Sequence, residues 1–229
     1  MLNHLNIELT NRCNQSCFYC SNPFSNSNEM TTDEWLLIIQ ERNATSVHLT
    51  GGEPFLYNEL VTLLDKLHCA NIETSILSNG GMPKTIERNF STFKKLKTAQ
   101  ISLDSLDSSI HNRRRGFDGA YEKAVETLRL FKELSVSTEI SMVVDIETIS
   151  GIQKMIKYCK ETGVRLVLRP LTRLGRSVDC FKTNNSLESL VKANQDVIIP
   201  DQFGYGAPSI GYTMSEQLTL STAGEELKI

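Results

Sequence analysis

Three cysteines, Cys13, Cys17 and Cys20, stand in the segment TNRCNQSCFYCSNP with the spacing Cys-x3-Cys-x2-Cys. Three thiolates on one short loop can bind three irons of a four-iron cubane and leave the fourth iron without a protein ligand. An open coordination position is where a metal centre does chemistry, whereas a closed one is usually structural. Two other readings stay open at this level. Structural zinc wants four ligands, and neither His4 upstream nor His48 downstream lies close to the trio. Buried, unmetallated cysteines are the third reading.

Other residues with chemical capacity fall in short motifs. Thr50-Gly51-Gly52-Glu53-Pro54 combines two glycines, which let backbone approach a ligand closely, with a carboxylate that can receive an ammonium group. Pro54 stiffens the exit into the next helix. Ser78-Asn79-Gly80 and Ser102-Leu103-Asp104 place hydroxyls and a carboxylate where they can hydrogen-bond a diol such as a ribose. Ser102 and Asp104, at alternate positions of a strand, share one face. The plainer account of both motifs is turn and capping chemistry. In HNRRRGFDGAY (111–121), Arg115 can clamp a carboxylate bidentately, while Arg113 and Arg114 are expected on a solvated face. Arg169-Pro170 closes another apolar run.

These residues need elements to position them. Six aliphatic or β-branched runs read as strands, at 5–9, 46–50, 73–78, 99–104, 138–144 and 164–170. Amphipathic stretches separate them, at 31–42 (opening with capping-type Thr32 and Asp33), 58–70, 120–134 and 152–163, the last stopping at Gly163. A fifth helix, near 84–95, has the weakest pattern. The alternation predicts an α/β fold with a parallel sheet, either open or a partial barrel. The cysteine loop, the Gly-Gly-Glu turn, Ser78, Asp104 and Arg169 all fall at the carboxyl ends of successive strands, the edge where parallel α/β folds bind ligands. After about residue 176 the rhythm stops. The remainder, 177–229, reads as an appendage with one helix (186–194) and a closing hairpin that turns near Ala223-Gly224.

Composition narrows the class. The chain has 229 residues, 40% hydrophobic and 22% charged, enough for one sizeable core. A formal net charge of −3 disfavours broad nucleic-acid binding. The first residues lack a signal-peptide pattern, and no apolar run approaches the roughly 18 residues of a membrane span. The expected setting is cytoplasmic, with reduced thiols, where clustered cysteines point to metal rather than to disulfides.

Taken together, CNQSCFYC, TGGEP, SNG, ISLDS, HNRRRG and the strand-six exit resemble the radical S-adenosylmethionine (radical SAM) enzymes over about residues 3–177. The resemblance implies a partial (β/α)6 TIM-like barrel, a core domain over 1–176 and an extension over 177–229 that covers the barrel mouth. It implies that Cys13, Cys17 and Cys20 ligate a [4Fe–4S] cluster whose fourth iron is chelated by SAM. It places Tyr19 near the adenine and Gly51, Gly52 and Glu53 at the methionine amino group. Ser78, Ser102 and Asp104 would contact ribose and methionine, and Arg115 would lie near the SAM carboxylate. The implied reaction is reductive cleavage of SAM to a 5′-deoxyadenosyl radical that removes a hydrogen atom from the substrate. Electrons would come from a donor such as flavodoxin or ferredoxin.

Within the family the chain is most similar to the branch with a cysteine-rich SPASM or twitch extension, which includes many peptide maturases. It departs from that branch in its cysteines. Beyond Cys20 only Cys69, Cys159 and Cys180 remain, so no auxiliary cluster is visible and the extension reads as truncated or degenerate. A ribosomally made peptide is the expected substrate. The alternatives are a small molecule (a sugar, nucleoside or cofactor precursor) or, in another class, a non-catalytic metal-binding module.

Overall fold

The computed structural model describes residues 4–21, 29–170, 192–199, 218–220 and 226–228. Six strands run parallel: β1 (His4–Glu8), β2 (Ser46–Thr50), β3 (Glu73–Ser78), β4 (Thr98–Ser102), β5 (Ser137–Val144) and β6 (Arg165–Pro170). Between them lie α1 (Thr32–Glu41), α2 (Leu60–Cys69), α3 (Pro83–Arg88), α4 (Phe90–Phe93), α5 (Ser108–Arg115), α6 (Ala120–Glu133) and α7 (Ile152–Thr162). This is the parallel α/β arrangement the alternation predicts and the partial barrel the resemblance implies, each strand lying beside its predecessor.

The register explains the two faces. Ile7 pairs Leu49, which pairs Ile76, which pairs Ala99, and Ile101 pairs Ile140, which pairs Leu166. All of these are buried in one core with Trp35, Leu63, Leu67, Phe93 and Phe131. Phe55 stacks on Phe93 at 5.1 Å, and Phe93 meets Phe131 edge-on at 6.2 Å. The opposite face is polar although equally buried: Asn6, His48, Ser75, Gln100, Glu139 and Ser141. Its polarity is internally satisfied in the second half of the sheet. Gln100 donates to Glu139 at 2.9 Å, Arg165 donates to Glu139 at 2.6 Å, and Arg169 donates to Gln100 Oε1 at 2.7 Å and to Ser141 at 2.9 Å. A barrel interior lined by hydrogen-bonded groups suits a polar ligand better than an apolar one.

Several elements differ from the sequence expectation. The α1 cap is Thr31 rather than Thr32, because Glu34 three residues on completes a reciprocal capping box with it. Thr32 is buried, and its N–H donates to Glu59 at 2.7 Å. The helix expected near 84–95 is two short helices, interrupted where Asn89 leaves helical dihedrals (φ −131°, ψ 39°). Helix α5 was not expected at all. It has one large apolar residue, Ile110, and is made by its ends: Asp107 accepts from Ser109 N and Ile110 N, and Gly116 closes it at φ 59°.

The closing hairpin forms, with β7 (Leu218–Leu220) antiparallel to β8 (Glu226–Lys228). It is not detached: β7 pairs parallel with β1, so the sheet runs β6-β5-β4-β3-β2-β1-β7-β8. At the other edge, Leu166 is bridged to residues 197–199 through Leu166 N to Val197 O and Ile199 N to Leu166 O, both at 2.9 Å. Most of the helix expected over 186–194, the turn near Ala223-Gly224, Cys180 and the segment 173–177 lie outside the described residues. Among the described residues no helix is long and apolar enough to cross a membrane.

Candidate active site

The cysteine loop leaves β1 and is sewn to the turn after β2. Gly52 N donates to Thr10 O at 2.6 Å and Glu53 N donates to Arg12 O at 2.8 Å. The glycines are required by this contact. A Cβ on Gly52 would sit 2.3 Å from Arg12 O. One on Gly51, at φ 138°, would sit 2.4 Å from Thr10 O. The sequence suggests that their openness serves a ligand, whereas the cysteine loop's own backbone fills one side of it.

Glu53 is completely buried. Its Oε1 accepts from Ser78 Oγ at 2.8 Å and from Phe55 N at 3.1 Å, and its Oε2 accepts from Asn79 N at 2.8 Å. Burial pushes its carboxyl up to about 7, against the pull of those donors. No cation forms an ion pair with it among the described residues. Ser78 thus ties the turn to β3 rather than facing outward, and it also accepts from Gly80 N at 2.9 Å.

Asn79, not singled out in the sequence, joins β3 to the cysteine loop. Its amide donates to Asn14 Oδ1 at 2.7 Å and approaches Cys13 Sγ at 3.7 Å. Cys13 Sγ also accepts from Gln15 N at 3.5 Å. The SNG motif was the only local signal for this residue.

Tyr19, Asp104 and Arg115 form one buried group. The Tyr19 hydroxyl donates to Asp104 Oδ2. Asp104 Oδ1 accepts from Arg115 Nη2 at 3.2 Å and from Val143 N at 3.0 Å, and Arg114 Nε lies 3.6 Å from Oδ2. The Asp104 backbone N–H donates to His111 Nδ1 at 3.2 Å. Burial alone would raise the Asp104 carboxyl, but Arg115, Arg114 and His111, with the Tyr19 hydrogen bond, hold it below its ordinary value. Burial and the neighbouring Arg115 push His111 down to about 3, so it is neutral and can accept. Asp104 therefore has protein partners on both oxygens, where the sequence suggested a ribose contact. Arg115 sends Nη1 to Cys17 Sγ at 3.8 Å, so its guanidinium faces the cysteine loop where a SAM carboxylate was expected. Ser102 is half-buried at the end of β4, opposite Ser141 in the register.

Arg114 corrects the expectation of a solvated face. Its side chain is fully buried, bonded to Asp145 at 2.8 Å and to Glu147 at 2.9 Å, beneath the rings of Phe18 (5.2 Å) and Tyr19 (4.9 Å). Arg113 is exposed, as expected, and pairs with Glu147.

Cys13, Cys17 and Cys20 share this loop and lie close enough to perturb one another's ionisation. Burial pushes the Cys13 thiol up to about 11. It also raises Cys17, which Arg115 opposes. Among the described residues no three His, Cys, Asp or Glu side chains already converge on a metal position. The donor set nevertheless fits an iron–sulfur cluster: three thiols on one loop, with N–H donors at two of the sulfurs. Such hydrogen bonds support thiolate ligands, and a bound cation deprotonates a thiol outright. No described cysteine is in a disulfide. Cys69 is exposed and Cys159 is buried in the core, away from the trio.

Six parallel strands alternating with helices, with a three-cysteine loop on the carboxyl edge, define a partial (β/α)6 barrel. The family model described as the radical SAM superfamily matches residues 7–159, and the chain belongs to that superfamily. It is 25% identical over 185 residues to the sporulation killing factor maturation protein SkfB of Bacillus subtilis, covering 77% of this chain and 44% of SkfB. It is 29% identical over 164 residues to the PqqA peptide cyclase of Granulibacter bethesdensis, covering 68% of this chain and 43% of that protein. The chain thus spans less than half the length of these curated relatives. Its fold overlays SuiB of Streptococcus suis, solved bound to the precursor peptide SuiA, with a TM-score of 0.76 at 18% identity, covering 99% of this chain and 59% of SuiB. It also overlays anSMEcpe with bound AdoMet at 0.70 and 22% identity, covering 99% and 73%. At these identities the overlays speak to the fold alone.

Proposed function

We propose that this chain is the catalytic core of a radical SAM enzyme in which Cys13, Cys17 and Cys20 ligate a [4Fe–4S] cluster and SAM occupies the iron left open. The observation that carries this reading is the three-cysteine loop fastened to the carboxyl edge, with Gln15 N and Asn79 directed at Cys13 and Arg115 at Cys17. When bound, the cluster and SAM supply one-electron cleavage of the sulfonium and the organic radical that takes a hydrogen atom from a substrate.

The chain's own residues orient and shield. The Gly51-Gly52-Glu53 turn receives the methionine amino group: Glu53 is a buried carboxylate with no ion-pair partner among the described residues, and an ammonium beside it would favour its charged form. Half-buried Ser102, at the end of β4, would contact the ribose. Ser78, Tyr19, Asp104 and Arg115 act one step back, fixing the turn and the loop. Tyr19 keeps its ring beside the cysteines while its hydroxyl is tied down. A water-poor site would strengthen each of these interactions.

The substrate is a peptide. SkfB is named a maturation protein, PqqA cyclase acts on a peptide by name, and SuiB was solved with a precursor peptide. Residues 177–229 would cover the barrel mouth, and the pairing of β7 with β1, whose exit is the cysteine loop, supports that placement. A separate one-electron donor such as flavodoxin or ferredoxin would be needed, and the cytoplasm would keep the thiols reduced.

Anaerobic reconstitution followed by metal and sulfide analysis tests the reading, with about four irons and four sulfides expected per chain. Stoichiometric zinc without iron or sulfide would instead make this a non-catalytic metal-binding module.

A further inference from the structure

Arg115 is anchored from three sides, and its anchoring directs it at a cluster ligand. Its backbone carbonyl accepts from Ser16 N at 3.0 Å, inside the cysteine loop. The next residue, Gly116, accepts from Ser16 Oγ at 3.2 Å, and a Cβ there would lie 2.4 Å from that oxygen. The C-terminal end of α5 is therefore docked on the backbone between Cys13 and Cys17. From that end the guanidinium reaches Cys17 Sγ at 3.8 Å and Asp104 Oδ1 at 3.2 Å, with its carbon 5.6 Å from the centre of the Tyr19 ring. Its Nε is buried without a hydrogen-bond partner among the described residues. Asp104 is completely buried, so the charge of the pair is poorly screened by water.

We infer that Arg115 and Asp104 are a paired charge that sets the reduction potential of the cluster held by Cys17, Arg115 raising it and Asp104 lowering it. This rests on the cluster assignment above. Reduction adds negative charge to the cluster. A cation and an N–H donor at a ligand sulfur stabilise the reduced form, and an anion just behind them opposes it. Arg115 is a positioning residue for Cys17 as well as its charge partner. The two functions separate experimentally, because a purely structural role has no sign.

The test is a potentiometric titration, followed by electron paramagnetic resonance, of reconstituted wild-type chain and the variants Arg115→Met, Arg115→Lys and Asp104→Asn, with iron and sulfide measured on each sample. Arg115→Met is expected to disfavour reduction about tenfold, which is 59 mV for one electron. Asp104→Asn should favour reduction, and Arg115→Lys should stay close to wild type. Equal potentials in all iron-loaded variants, or shifts of one sign in both Arg115→Met and Asp104→Asn, would overturn the inference while leaving the cluster assignment intact. Failure of all three variants to load iron would also overturn it, in favour of a purely architectural role. Failure of the wild-type chain to load iron would overturn the cluster assignment itself, and the inference with it.

Discussion

The Tyr19 hydroxyl donates to the Asp104 carboxylate, joining residues 85 positions apart and fastening the cysteine loop to the end of β4. Both side chains are buried, so neither can exchange this bond for water. The loop is long and largely irregular, and its position over the sheet edge depends on such ties more than on regular secondary structure.

Tyr19→Phe keeps the ring and removes the donor. A buried acceptor that loses its partner costs about 1–3 kcal/mol. For a chain of this size each 1 kcal/mol moves the melting temperature by about 2–4 °C. Thermal denaturation of the iron-free protein should therefore show a drop of several degrees. An unchanged midpoint would mean that the hydroxyl has another partner in solution.

Gly52→Ala should impair iron loading. Its Cβ would meet Arg12 O at 2.3 Å and Asn11 O at 2.8 Å, both backbone atoms of the cysteine loop, so no flexible group is there to yield. The cysteine loop must then shift from the turn. Gly151→Ala is the control, with nothing within 4 Å of its Cβ and an ordinary φ of −88°. Iron bound per chain after identical reconstitution should fall severalfold in the first variant and not in the second.

The neighbours Arg113 and Arg114 should behave oppositely. Arg114→Met strands the Asp145 carboxylate and removes part of Asp104's counter-charge, and breaking a buried pair costs about 3–5 kcal/mol. Arg113→Ala removes an exposed pair and should cost less than about 1 kcal/mol. Urea denaturation of both variants checks this, and equal losses would contradict the burial of Arg114.

In the iron-free protein Glu53 should make stability depend on pH. Its folded pKa of about 7 lies above the ordinary 4.5, so the folded state holds a proton more tightly than the unfolded state does. The stabilisation is complete below about pH 4.5 and is lost as pH rises to about 7, the total being of the order of 3 kcal/mol. Measured as the unfolding free-energy difference between wild type and Glu53→Gln, it should decline through that window and level off above it. A difference that does not vary between pH 4.5 and 7 would mean that Glu53 is solvated.

Much of this architecture was legible because the core face of each strand puts aliphatic or β-branched residues at alternate positions, and amphipathic helices must separate the strands. The cysteine spacing, the Gly-Gly-Glu turn and the shared carboxyl edge were legible for the same reason: motif and strand end coincide. Helix α5 was missed because Asp107 and Gly116 make it, not apolar periodicity. The burial of Arg114 was missed because its partners, Asp145 and Glu147, come from the exit of β5 and leave no mark beside it in the sequence. Asp104 and Arg115 each stood out in their own motifs, but local sequence could not show that they face each other and Cys17.

The most direct measurement of the central claim is 5′-deoxyadenosine formed from SAM by the reduced, iron-loaded chain under strict anaerobiosis, compared with Cys17→Ala prepared in parallel. The wild-type chain should form product, with cluster absorbance and product lost together in the variant. Iron-loaded wild type that forms none, or a Cys17→Ala variant that still cleaves SAM, would contradict it.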